Sequence, residues 1–191
     1  MVKYDKRRVG VPPVQRVGVS VGVGALLRVG VGVLLVMLTG ATRGAAAQDI
    51  GLPVGTLAQA VTLQDLDGNP VDLGQFIGNG PVLLEFWATW CPLCEELEPA
   101  MHAVEQRFGD AVEVVVVAVG VNQNARSIRR HLEKHRVPGR ILFDAEGAAT
   151  RAFKAPTTSY VVVLDAQGRV AYTGQGGDQD LVAAVARVTG Q

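Results

Sequence analysis

The chain has 191 residues, 48% hydrophobic and 19% charged, with 18 basic side chains, 18 acidic ones and two cysteines. Such an apolar fraction excludes wholesale disorder, and two cysteines are too few to staple a disulfide scaffold. A net charge of zero carries no electrostatic footprint for nucleic acid, so no nucleic-acid partner is expected.

That zero hides an asymmetry. Lys3, Lys6, Arg7, Arg8, Arg16, Arg28 and Arg43, but only one acid, Asp5, precede Gln48, which leaves 11 basic and 17 acidic side chains in residues 48–191. A basic stretch at Lys6-Arg7-Arg8, an uncharged Val/Gly/Leu-rich segment from Val29 to Thr42 and the small residues Ala45-Ala46-Ala47 follow in the order of a secretory leader. The uncharged segment is short of the ~20 residues that a helical crossing of a bilayer needs. Residues 1–47 therefore read as a signal peptide cleaved after Ala47 or, as the alternative, an uncleaved N-terminal membrane anchor. Either way residues 48–191 form a domain outside the cytoplasm, in the periplasm or cell envelope.

Within that domain Val61-Thr62-Leu63 and Val71-Asp72-Leu73 flank Asp67-Gly68-Asn69-Pro70, a turn sequence that favours a hairpin. Val82-Leu83-Leu84-Glu85-Phe86-Trp87 reads as a buried strand. A helix follows from about Pro92 to Arg107, with Leu97, Met101, Val104 and Phe108 on one stripe. Residues 112–119, with four consecutive valines, suit a strand covered on both faces. Helical periodicity returns at Ile128, Leu132 and His135. A strand is expected at 140–144, a short helix at 147–153, a second hairpin from strands 159–164 and 169–173, and a closing helix around Leu181 and Val185. The alternation predicts an α/β fold with a mixed sheet, parallel where helices connect the strands and antiparallel at its last pair.

Both cysteines lie in Trp90-Cys91-Pro92-Leu93-Cys94, where a strand feeds the start of a helix. Two intervening residues let the sulfurs meet across one turn. The unpaired N–H groups and partial positive charge of a helix start stabilise a thiolate, the nucleophilic form, and Pro92 costs nothing there. The expectation is an exposed, attacking Cys91 and a more buried, resolving Cys94. A zinc site would need His102, His131 or His135 as further ligands, none at a matching spacing. An inert disulfide is a third alternative, although a two-residue loop constrains little chain entropy.

The run Phe86-Trp87-Ala88-Thr89-Trp90-Cys91-Pro92-Leu93-Cys94, preceded by the Asp67-Pro70 turn, resembles the TlpA/ResA-like thiol-disulfide oxidoreductases of the thioredoxin superfamily. The resemblance spans about residues 51–189. It implies a thioredoxin-like fold, a central mixed β-sheet flanked by helices, with an added N-terminal β-hairpin. It also implies protein-disulfide exchange through Cys91 and Cys94, with no cofactor and no metal. Ala155-Pro156-Thr157-Thr158 is similar to the family's cis-proline loop, which would lie opposite the cysteines. Ala155 and Pro156, with Trp90 and Pro92, would then shape a client-docking groove; an ordinary proline at a strand start is the alternative for Pro156. Glu85 matches the buried acid of thioredoxins and would take a proton from Cys94 through water, unless it sits at a solvated sheet edge. Trp87 reads as core packing beneath the site. One departure stands out: many ResA-like reductases carry glutamate three residues after the second cysteine, where this chain has Leu97.

No Lys or Arg occurs between Val82 and Gln106, while Glu95, Glu96 and Glu98 follow the cysteines. Negative charge opposes a thiolate, and a less stabilised thiolate makes a reductant. The reading is a reductase rather than an oxidase, an isomerase or a non-catalytic binding module. A reductant in an oxidising space needs recharging, so the resemblance implies a membrane electron donor of DsbD/CcdA type. Its clients would be exported proteins with disulfides, apocytochrome c being the family's best-known case.

Overall fold

A computed structural model describes residues 51–191; the leader or anchor expected at 1–47 lies outside the described residues. Strands β1 (Thr62–Gln64) and β2 (Pro70–Asp72) form the hairpin set by the Asp67-Gly68 turn. Asp65 closes that turn by accepting the backbone N–H groups of Asp67 and Asn69. The elements β3 (Val82–Trp87), α1 (Pro92–Phe108), β4 (Glu113–Val119), α2 (Ala125–Leu132), β5 (Arg140–Asp144) and α3 (Ala148–Ala152) alternate. They lead into β6 (Tyr160–Leu164), β7 (Val170–Gln175) and α4 (Leu181–Thr189).

The seven strands make one sheet in the order β2-β1-β5-β4-β3-β6-β7. The pairs β3/β4 and β4/β5 are parallel, as their helical crossovers require, and β3/β6 and β6/β7 are antiparallel. The fold is thioredoxin-like, with the hairpin appended antiparallel to β5 through the Gln64 and Phe143 pairing. This places β3 inside the sheet, at the centre of the five strands β5-β4-β3-β6-β7 that remain when the hairpin is set aside, and every one of its six residues is buried. Its apolar run, broken only by Glu85, is the signature of a strand covered on both faces. Phe86 meets the rings of Phe153 and Tyr160 at 5.9 and 5.8 Å. Each such side chain, once buried, contributes about 1.5–3 kcal/mol.

The helix ends follow from local chemistry. In α1, Cys91 is the N-cap and Pro92 opens the first turn, Glu95 faces the positive end and Arg107 the negative one. Leu97, Met101, Val104 and Phe108 all point into the core, as their spacing predicts. α2 begins at a capping box in which Asn124 and Ser127 satisfy each other's backbone N–H groups. It ends at Leu132, so His135 falls beyond the helix, although its N–H still donates to the His131 carbonyl at 3.0 Å. The two imidazoles still stack, His135 on His131 at 4.3 Å, and His131 in turn meets the edge of Trp87 at 5.3 Å.

Candidate active site

Strand β3 ends at Trp87, and residues 88–90 turn the chain into α1, so both cysteines stand at the carboxyl end of the central strand. Cys91 and Cys94 are joined as a disulfide with Cα atoms 5.3 Å apart. The backbone N–H of Cys94 donates to Cys91 Sγ at 3.1 Å and to the Cys91 carbonyl at the same distance. The N-cap sulfur thus occupies the position where a serine or aspartate oxygen usually satisfies a helix start. On reduction, that N–H and the partial charge of the helix end favour a thiolate at Cys91.

The expected contrast between an exposed Cys91 and a buried Cys94 is not found in this oxidised state: they are 3% and 1% exposed. The Cys91 sulfur is committed to its partner and to the Cys94 amide. Its neighbours Trp90 and Leu93, each 46% exposed, carry the accessible surface instead.

Two groups of the β4–α2 loop that the sequence did not single out hold this turn, the Gln123 side chain and the Val121 carbonyl. Gln123, buried in the loop after β4, accepts from the Thr89 N–H at 2.9 Å. It also donates to the carbonyls of Val119 (2.7 Å) and Trp87 (3.4 Å). Trp90 donates its indole N–H to the Val121 carbonyl at 2.9 Å. The β4–α2 loop therefore clamps the segment that presents Cys91. Gln123 reads in sequence as one more polar loop residue, and only its burial distinguishes it.

A cavity of about 450 Å³ opens beside Trp90, lined also by Gly120, Val121, Ala155, Pro156 and Thr158. The structure thus gathers Trp90, Ala155 and Pro156 around one concavity. Pro92 is exposed on the first turn of α1 and does not line it. Two further differences concern the proline loop. Among the described residues no peptide bond is cis, so Ala155–Pro156 has the trans form that X–Pro bonds ordinarily prefer. Pro156 also lies four residues before β6 begins, and the residue that reaches the cysteine dipeptide is Ser159. Ser159 is fully buried with a φ of 58°, its N–H donates to the Phe86 carbonyl at 2.7 Å, and its hydroxyl lies 3.2 Å from the Leu93 carbonyl.

Glu85 sits on β3 between β4 and β6, opposite Val116 and Val161, and is 2% exposed. That position is interior, not a solvated edge. Its Oε1 has no hydrogen-bond partner among the described residues. Burial, reinforced by the negative charge of Glu98, pushes its pKa up to about 8. Glu98 is itself raised, chiefly by partial burial. Leu97, where many ResA-like reductases have glutamate, is fully buried in the core stripe, so no carboxylate occupies that position.

A disulfide-forming Cys-x-x-Cys pair at the start of a helix, fed by the central strand of a thioredoxin-like sheet, defines a thiol-disulfide oxidoreductase. The chain belongs to the Redoxin family, whose model matches residues 53–188. It is similar to the thioredoxin-like protein YneN of Bacillus subtilis, 30% identical over 145 residues that cover 72% of this chain and 83% of the relative. It is similar also to the thiol-disulfide oxidoreductase ResA of Bacillus cereus, 22% identical over 143 residues, covering 72% of this chain and 82% of ResA. In fold it matches a secreted Mycobacterium tuberculosis disulfide oxidoreductase homologous to E. coli DsbE, with a TM-score of 0.57 and 24% identity over 66% of this chain and 95% of that one.

Proposed function

We propose that this protein is an extracytoplasmic protein-disulfide reductase of the cytochrome c maturation type, acting on disulfides in exported clients. The observation that carries the reading is the Cys91–Cys94 pair at the start of α1 beside the cavity of Trp90 and residues 155–158. In the first step the Cys91 thiolate attacks a client disulfide: a Cys91–client S–S bond forms, the client's own S–S bond breaks, and one client thiolate leaves. Cys94 then loses its proton and attacks Cys91 Sγ, forming the Cys91–Cys94 disulfide and releasing the second client thiolate. Two electrons pass to the client, and a membrane donor of DsbD/CcdA type returns them.

Glu85, neutral in most molecules at pH 7 and ionised in about a tenth of them, accepts the Cys94 proton through an intervening water when it is in its ionised form. A carboxyl whose pKa is about 8 lies close to an ordinary thiol, which makes the exchange nearly balanced in either direction. Trp90, Pro92, Ala155 and Pro156 form the surface on which the client lies. The glutamates following the cysteines, unrelieved by Lys or Arg between Val82 and Gln106, support the reducing direction. The leader at 1–47 and the secreted mycobacterial protein of the same fold support export.

The test is insulin reduction by wild type and by Cys91→Ser, with dithiothreitol as electron source. The expected result is a rate that vanishes in the variant; equal rates would identify a binding module. A Cys91–Cys94 potential near −120 mV, the strongly oxidising end at about that value, would identify an oxidase instead. Cys94→Ser is expected to retain clients as mixed disulfides on Cys91, which identifies them by mass.

A further inference from the structure

The peptide unit between Leu93 and Cys94 lies inside the redox loop and is held at both of its ends. Its N–H, that of Cys94, donates to Cys91 Sγ at 3.1 Å. Its C=O, that of Leu93, faces the hydroxyl of Ser159 at 3.2 Å. Because a peptide is planar, fixing the carbonyl fixes the direction of the amide hydrogen. A hydrogen bond to the carbonyl also polarises the N–H on the far side of the same unit and strengthens it as a donor.

Ser159 is built into this place. It is fully buried, and its φ of 58° is a conformation that a serine adopts at a cost. Its hydroxyl is shared with the Gly176 carbonyl at 2.9 Å. The Gly176 N–H returns to the Ser159 carbonyl at 3.1 Å. Gln179 donates to the Ser159 and Gly176 carbonyls at 3.1 and 2.7 Å and accepts from the Tyr172 hydroxyl at 3.1 Å. The serine is therefore anchored from the loop after β7, independently of the cysteine helix.

We propose that Ser159 is a positioning residue for the redox pair: its hydroxyl orients and polarises the Leu93–Cys94 peptide, whose amide then stabilises the Cys91 sulfur as a thiolate. This rests on the thiol-disulfide exchange reading. Stabilising the thiolate stabilises the reduced form, so removing the hydroxyl makes the protein a stronger reductant.

The experiment equilibrates the oxidised protein with glutathione. The Cys91–Cys94 bond breaks, two glutathione thiols become one glutathione disulfide, and two electrons and two protons pass to the cysteines. Ser159→Ala and Ser159→Gly both lack the hydroxyl, but glycine adopts the positive φ freely whereas alanine, like serine, pays a steric cost for it. Both variants are expected to shift the equilibrium constant about threefold toward the protein disulfide, a typical net hydrogen-bond effect. At 29.6 mV per tenfold this is a potential about 14 mV lower. Thermal melts are expected to separate the two, Ser159→Ala being the less stable. Unchanged potentials in both variants, or a change in Ser159→Ala alone that follows its lost stability, would overturn the proposal. Failure of the wild type to equilibrate with glutathione at all would sink the exchange reading, and this proposal with it.

Discussion

Glu85→Gln tests the interior carboxyl directly, because its protonation is linked to folding. The folded pKa of about 8 lies above the value of 4.5 for the free side chain. Between those values the folded protein holds a proton that the unfolded chain has lost, so stability falls as pH rises through the window and is level outside it. Each tenfold difference in proton affinity is worth about 1.4 kcal/mol, which gives a cost of about 3 kcal/mol at pH 7 and a swing of about 4 kcal/mol between pH 5 and 8.5. Glutamine does not titrate. Any penalty for burying its amide is the same at every pH and drops out of the difference. Urea denaturation of the oxidised forms, in which neither cysteine titrates, should show the variant gaining on wild type by about 2 M in midpoint across that range, for a slope of about 2 kcal/mol per M. A gap that stays flat within about 0.5 kcal/mol would refute both the desolvation argument and the assignment of Glu85 as a neutral acid in the resting protein.

Gln123→Ala removes three hydrogen bonds from a buried site and leaves the Thr89 N–H without its acceptor. A loss of about 2–3 kcal/mol is expected in chemical denaturation, with a change in Trp90 fluorescence in the native state. Asn124→Ala breaks the α2 capping box and should cost about 1 kcal/mol by the same measurement while leaving insulin reduction intact. Gly120→Ala puts a Cβ 2.6 Å from the Ala145 carbonyl oxygen, a backbone atom that cannot swing aside. It should lower the melting temperature and slow client turnover, since Gly120 lines the cavity beside Trp90. Arg129→Ala, by contrast, is expected to change stability by less than about 1 kcal/mol, because its partner Asp67 is largely exposed.

The local elements were legible because periodicity and turn chemistry agreed. The Val82–Trp87 run became the central strand, the stripe from Leu97 to Phe108 became the buried face of α1, and Arg140–Asp144 matched its strand to the residue. The redox pair was legible for the same reason: Cys-Pro-x-Cys at a strand-to-helix junction combines a sulfur spacing with a capping position. Sheet order was not, since nothing local to the hairpin states that it pairs with β5. Ser159 was invisible because its importance lies in a positive φ and a contact with Leu93, 66 positions away. The emphasis on Pro156 came from likeness alone; the backbone puts it on the cavity wall, and the contact with the dipeptide between the cysteines falls three residues on, at Ser159. Cys91, expected to be exposed, is buried in the disulfide-bonded pair, a matter of packing that the spacing of two cysteines does not state.

The outermost strand of the sheet, β2, is three residues long and begins with Pro70, which has no N–H to offer a neighbour. Without the hairpin, β5 would present an open row of amides and carbonyls to any extended chain nearby. The appended hairpin instead makes that flank end in a short strand opened by a proline, a poor template for a further strand.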